Sequence, residues 1–381
     1  MAKRYTMSSS PVPRRELKDK AVDLLLSDQF VLYLSVFYVL LLAPFLPMLV
    51  TPANLVNVLS NMWPLLIVAI GQTFVLAIGG IDLSQGAAIA LTSVLGAVLI
   101  TGAADPATFA NTPIWGWLLT DAGGPLAGVD HGVVLAIAAM LVAAVIIGLI
   151  NGMAVAMFAM PAFIVTLVAM MIFSAFALWL TQSGNVANLP DDFIRLGRGD
   201  IVSVYFGAKE EAKIARRAIY SLVTYPMVIA LCVALAAHVL LNRTVFGSQV
   251  LAIGMNRKAA EISGVRVRRI IIAVFVISAV CAMIGGLLFA ARLEAGRPTL
   301  GGGTFLLDVI GAAVIGGTSL FGGKAKVIWT FFGVMFYVIM ASSLSAMNLS
   351  AFQIDMVKGG IILCAALLDV LRTRLKRERV R

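Results

Sequence analysis

The pattern that comes nearest to a chemical motif is Gly316-Gly317-Thr318-Ser319-Leu320-Phe321-Gly322-Gly323 running into Lys324. A phosphate-binding loop needs glycine, four residues and then Gly-Lys-Ser/Thr, so that backbone N–H groups and the lysine can cradle phosphates. Counting back from Gly323-Lys324, the first glycine would fall at position 318, which is threonine, and position 325 is alanine. An apolar run precedes the stretch, where the motif requires a buried strand. No ATP site is visible in the chain. It has no H-E-x-x-H, no G-x-S-x-G and no paired carboxylates, so no catalytic residue is assigned and an intramembrane enzyme has no motif behind it. Cys232, Cys281 and Cys364 stand singly in apolar stretches, and neither His131 nor His238 lies at ligand spacing. They read as free thiols, with no metal site.

Ion-coupled carriers hold ionisable groups near the bilayer midplane, where each costs roughly 2.5–3.5 kcal/mol on insertion scales. Here Asp82, Asp308, Asp355, Lys358 and Asp369 fall near the ends of apolar runs, where an isolated charge is usually solvated or capping. Nothing in the runs couples transport to an ion gradient, and the driving force is expected from a partner. The candidates for a solute pathway are the neutral polar residues Gln72, Thr73, Asn151, Thr166 and Gln182. Each has a competing reading as an interhelical hydrogen bond.

The elements that must position these residues follow from composition. The chain has 381 residues, of which 61% are hydrophobic and 13% charged, an excess of apolar residues that one soluble core cannot hide. Uncharged stretches of spanning length fall near 30–50, 62–78, 86–104, 132–157, 162–181, 220–241, 270–291, 306–320, 327–347 and 354–371. The expected fold is an all-α polytopic bundle of about ten spans, in which each backbone satisfies itself as a helix inside lipid. The domain reading is a tail over 1–29, a membrane domain over 30–371 and a basic tail over 372–381. Val31 to Val50 is longer than a signal-peptide core and no small-residue cleavage site follows, so it is expected to remain as the first span.

The net charge of +10 follows topology, with no nucleic-acid motif. Basic residues cluster before the first span (Lys3 to Lys20), after the last (Arg372 to Arg381) and in the 242–269 loop (Arg243, Arg257, Lys258, Arg266, Arg268, Arg269). The positive-inside rule assigns all three to the cytoplasmic face, with both termini there. The 105–131 segment, acidic and without Lys or Arg, then lies outside. The 182–219 loop fits least well, because its basic residues face outward; either a short amphipathic helix from Lys209 to Arg217 lies on the outer surface there, or the spans are locally miscounted.

Two inner turns share the spacing G-G-x-x-L-x-x-G, one at Gly79-Gly80 to Gly86 and one at Gly316-Gly317 to Gly323. They read as tight turns in which glycine tolerates φ > 0. Gly148-x-x-x-Gly152 reads as close helix packing. In the 242–269 loop, Asn256 suits a helix N-cap and Gly264 a helix end, with a short helix-forming run between them.

Five stretches resemble the permease subunits of ribose-type bacterial ATP-binding-cassette importers. They are Gly71-Gln72-Thr73-Phe74-Val75 into Gly79-Gly80-Ile81-Asp82-Leu83-Ser84; Asn151-Gly152 followed by Pro161 to Leu167; the Gly247 to Val265 loop; Leu307-Asp308 through Gly323; and Val357-Lys358-Gly359 through Asp369. The resemblance spans roughly 40–370. It implies a pair of permeases in the bacterial cytoplasmic membrane, identical or related, within membrane lipid. It also implies an ATPase subunit pair that holds the ATP and Mg²⁺, and a periplasmic or lipid-anchored binding protein that delivers a monosaccharide. In that scheme Asn256, Ala259, Ala260, Glu261, Ser263 and Gly264 form the coupling element. The long segments 105–131 and 200–219 depart from the family pattern. The alternative is a stand-alone secondary transporter or channel for a small polar solute.

Overall fold

The computed structural model describes residues 30–205 and 219–380. The expected helix at Lys209–Arg217 lies outside the described residues, as do both tails' side chains and that of Asp369. Helices form at each expected span: α1 Phe30–Leu42, α2 Pro52–Ala77, α3 Gln85–Ile100, α5 Gly132–Met157, α6 Ala162–Thr181, α8 Tyr225–Arg243, α11 Val267–Leu293, α12 Phe305–Ile315, α13 Val327–Ala346 and α14 Ala351–Val380. Short helices α4 Pro106–Phe109, α7 Asp191–Arg198, α9 Val245–Met255 and α10 Arg257–Ile262 lie in the connections.

Among the described residues, seven helices are long and apolar enough to cross a bilayer: α2, α5, α6, α8, α11, α13 and Ala351–Leu368 of α14. Of the other three expected spans, α1 begins at the first described residue, while α3 has 16 residues and α12 has 11, so at 1.5 Å per residue these two reach only about 24 and 17 Å against a hydrocarbon core of about 30 Å. Local chemistry stops each one. Pro44 and Pro47 break the apolar run after Leu42. At the end of α3 the Thr101 hydroxyl turns to the Ala187 and Ala103 carbonyls. The Gly316-Gly317 pair ends α12, with Gly317 at φ +90°. In α3 and α12 the apolarity of the stretch marks burial, not helix length.

The all-α expectation also needs a correction, since Asp200–Tyr205 and Ile219–Thr224 pair as an antiparallel hairpin, β1 and β2. It leads into α8, whose N-cap Thr224 accepts from the Met227 N–H, with Pro226 in the first turn.

α11 is the central span, packed on α5, α2 and α3 and mostly buried. Gly148 and Gly152 allow α5 to run against it backbone to backbone: an added Cβ would sit 2.6 Å from Val276 Cα and 2.8 Å from Ile272 Cα respectively. The connections segregate to two ends of the bundle. At one end the loops around Gly102, Val186 and Gly296 bond to each other through Gly102 N–H to Asn188 O (2.9 Å) and the Val186–Gly296 bridge. At the other lie the 78–84 and 316–326 turns together with α9 and α10.

Candidate functional site

Both ends of α10 are capped as the sequence suggests. Asn256 Oδ1 accepts from the Ala259 N–H at 3.0 Å. At the far end Gly264 takes φ +84°, and the Val265 N–H reaches back to the Ala260 carbonyl at 3.1 Å, the glycine-terminated closure expected of a helix C-terminus. A six-residue helix is marginal alone, so its shape rests on these caps and on what it packs against. Arg257, Lys258, Ala259, Glu261 and Ser263 face out. Two large apolar side chains, Met255 and Ile262, are 72% and 84% exposed on this surface. Ala260 behaves differently from Ala259. It is 5% exposed and faces its own chain, so a contact surface would be built from Met255, Ala259 and Ile262, and bulk at position 260 would disturb the fold first.

The helix leading into α10 ends on a seat made of both glycine turns. A Cβ at Gly254 would lie 1.9 Å from the Ala77 carbonyl oxygen and 2.3 Å from the Gly323 nitrogen, and one at Gly322 would lie 2.8 Å from the Gly79 nitrogen and 2.9 Å from the Gly254 oxygen. The Gly323 N–H donates to Ala77 O at 2.9 Å. Three chain segments thus meet with no side chain between them. The turns are not built alike despite their shared spacing. Gly79 has φ +77° while Gly80 does not need a positive φ; in the second turn Gly317, Gly322 and Gly323 all take positive φ, and Gly316 is required by contact, its added Cβ falling 2.4 Å from the Trp329 carbonyl oxygen.

Three of the pathway candidates converge on the first turn. Asp82, expected as a solvated or capping residue, is fully buried: one carboxylate oxygen accepts from the Ser84 N–H (2.9 Å) and hydroxyl (2.6 Å), the other from the Ser278 hydroxyl (2.7 Å). Asn151 Nδ2 donates to Ser84 Oγ at 2.8 Å, and Gln85 Nε2 donates to Ser278 Oγ at 2.9 Å. Oriented to satisfy its neighbours, the Gln72 amide donates to Asp82 O and Gln85 Oε1 and accepts from the Asp82 N–H at 3.0–3.3 Å. The Thr166 hydroxyl donates to Ile81 O at 3.1 Å. This network ties the 78–84 turn to α2, α5, α6 and α11, and its members are shut off from solvent. Thr73 stands apart, sharing a hydrogen bond of 2.8 Å with Thr330 between α2 and α13. Gln182 is an exposed left-handed helix cap near the opposite end, donating to Trp179 O.

A cavity of about 440 Å³ opens at the other end of α2, between α2, α11, α12, α13 and α14, and none of those five residues lines it. Its polar lining comes from Asn54, Asn57, Asn61, Asp308, Tyr337 and Lys358, with Ser342 and Ser345 beside them. Sequence reading passed over the asparagines, although their spacing of i, i+3 and i+7 on an otherwise apolar helix was a readable signal.

The chain matches the family model described as "Branched-chain amino acid transport system / permease component" over residues 54–366. It is 31% identical to the ribose import permease protein of Bacillus subtilis over 340 residues, 88% of this chain and 91% of that protein. Against the L-arabinose ABC transporter permease protein of Azospirillum brasilense it is 30% identical, with 87% and 84% covered. The galactose/methyl galactoside import permease protein of Haemophilus influenzae is 28% identical over 94% of this chain and 98% of its own length. No solved structure matches. With the matched region extending from the start of α2 into α14, and taking in the capped α10 and both glycine turns, the chain belongs to this family of transport permeases.

Proposed function

We propose that the chain is the non-catalytic permease subunit of an ATP-binding-cassette importer for a monosaccharide, in a bacterial cytoplasmic membrane. In this reading the α10 end faces the cytoplasm, as the basic 242–269 loop requires under the positive-inside rule, and both termini lie on that side. α1, α3 and α12 complete the ten-element bundle, α3 and α12 as short helices that do not cross by themselves. A separate ATPase pair supplies ATP and Mg²⁺ binding, a second permease subunit completes the pathway, and an external binding protein delivers the solute.

The observation that carries the reading is α10. It is a short helix capped at both ends and bearing exposed Ile262, and it follows directly on α9, whose end carries exposed Met255 and is seated through Gly254, without intervening side chains, on the turns that end α2 and α12. Exposed apolar anchors on a rigid element are what a protein groove recognises. The family description mentions branched-chain amino acids, while the relatives' names mention sugars; we read the solute as a sugar, because three relatives at about 30% identity over most of their length share that chemistry.

The test replaces one anchor. Ile262→Asp, in the full chain co-expressed with its ATPase, should leave insertion and folding unchanged while ATPase co-purification falls at least tenfold. Undiminished ATPase recovery with normal uptake in vesicles would remove α10 from the coupling role.

A further inference from the structure

We propose that the cavity between α2, α11, α12, α13 and α14 is a weak solute subsite built for a neutral polyhydroxylated ring, an assignment that rests on the permease reading above. Its polar groups stand on four helices, α2, α12, α13 and α14, so no single helix's own capping or packing requirements account for them. Asn54, Asn57 and Asn61 share one face of α2. Asn54 Oδ1 accepts from the Ser342 hydroxyl at 3.0 Å, and Asn61 Oδ1 accepts from Arg292 at 2.9 Å, which holds both amides in place. Asn61 Nδ2 is also committed, to Asn57. Among the described residues, the Asn57 Nδ2 and the Ser345 hydroxyl donate to no protein group. Both residues are exposed, so these donors stand open to a polar ligand or to water.

The charges in the lining are already spent on each other. Lys358 Nζ donates to Asp308 at 3.0 Å, lies 3.7 Å from Asp355, and stands 5.6 Å from the centre of the Tyr337 ring. The Tyr337 hydroxyl donates to the same Asp308 carboxylate. An amino-acid zwitterion would need two opposed unpaired charges, and a sugar phosphate would need surplus positive charge. A polyol needs amides and hydroxyls, and those are what remain. Phe289 and Phe305, in edge-to-face contact at 5.6 Å, add an apolar patch against which the C–H face of a sugar ring can pack. The volume falls in the range of roughly 300–1,000 Å³ usual for small-molecule sites. With few unengaged donors, the site should bind with a Kd on the order of 1 mM, as suits a step where the solute must also leave.

The experiment is saturation-transfer NMR on the full chain in lipid nanodiscs. The probes are D-ribose, L-arabinose, D-allose and D-galactose, with leucine and ribose 5-phosphate as contrasts. At least one sugar should show saturation transfer at millimolar concentration, and neither contrast should. Asn57→Ala should weaken that binding about tenfold at an unchanged melting temperature, and Asn57→Gln should restore part of it, which a purely structural role would not do. Unchanged sugar binding in the Asn57→Ala/Ser345→Ala double variant would overturn the subsite, as would no signal from any sugar. Binding of leucine in their place would overturn both this assignment and the sugar reading. ATPase recovery through Ile262 does not involve the cavity, so failure here leaves the permease assignment separately testable.

Discussion

The contact at Gly254 gives the sharpest test of how the bundle is held together. In Gly254→Ala the new methyl would fall 1.9 Å from the Ala77 carbonyl oxygen and 2.3 Å from the Gly323 nitrogen. Both are backbone atoms, so no rotamer change relieves the overlap. Either α9 moves off the seat or the two turns separate, and in both cases the Gly323 N–H to Ala77 O bond is strained or lost. Overpacking costs typically about 1–3 kcal/mol, and an unmade buried hydrogen bond about 1 kcal/mol or more, so the loss should total about 2–4 kcal/mol. Gly80→Ala is the internal control: it lies in the same turn, but its Cβ would meet only the Val75 and Ala162 side chains at 3.2–3.4 Å and the Val75 carbonyl at 3.5 Å. The assay is thermal denaturation of the purified chain in nanodiscs, with binding-protein-stimulated ATPase activity of the assembled complex measured in parallel. Gly254→Ala should lower the melting temperature and depress stimulation, while Gly80→Ala should stay near wild type. Equal behaviour of the two variants would refute the argument that the seat depends on the missing side chain.

Removing the Asp82 carboxylate should be costly for a related reason. Asp82→Ala leaves the Ser84 and Ser278 donors buried without their acceptor and should destabilise by about 2–4 kcal/mol, with Asp82→Asn recovering part of the loss in the same melting assay; a neutral outcome for alanine would show that the network is not holding the turn. Gly317→Val must force φ +90° on a β-branched residue, so its folded yield should fall below that of Gly80→Val, and the reverse order would contradict the turn geometry. In a chain otherwise free of cysteine, thiols at Ala110 or Asn188 should react with an impermeant reagent added outside, and one at Arg257 should not. Labelling of position 188 only from inside would reverse the orientation of the loop end.

Hydropathy located every span helix, and two residue types located α10: an asparagine that caps and a glycine that closes. Those signals are local, and local physics decides them. What was not legible was which polar residues meet. Gln72, Asn151 and Thr166 were singled out because each is a polar residue in an apolar run, and burial against the Asp82 turn is a long-range outcome that no local pattern encodes. The same limit explains Asp82 itself. Its position at a span end implied water, yet the turn folds inward under α5, α6 and α11. The lengths of α3 and α12 are not legible because a helix shielded by its neighbours can be short and still apolar throughout. Conversely, the cavity was overlooked because Asn54, Asn57 and Asn61 lie before the uncharged core of α2, where polar residues are expected to face solvent.

The two features now bear on each other through α2 and α12. α2 carries Asn54, Asn57 and Asn61 near its first turns and ends at Ala77, whose carbonyl accepts from Gly323 beside Gly254. α12 carries Phe305 and Asp308 at its start and ends at the Gly316-Gly317 turn, which runs on to Gly322 on the same seat. Each helix therefore has one end in the cavity wall and the other in the junction beneath α10. Packed helices move as rods because the interiors joining them are not continuously deformable. A displacement of α10 would reach Gly254 first and then both turns together, since nothing flexible separates the three backbones. The cavity would feel it as a shift of the α2 asparagines relative to Asp308. This predicts that a substitution at the seat, such as Gly322→Ala, changes the millimolar sugar affinity of the cavity although the two sites share no contact. An affinity identical to wild type, in a variant whose ATPase stimulation is impaired, would mean that the rods do not carry the motion and that coupling runs through another part of the bundle.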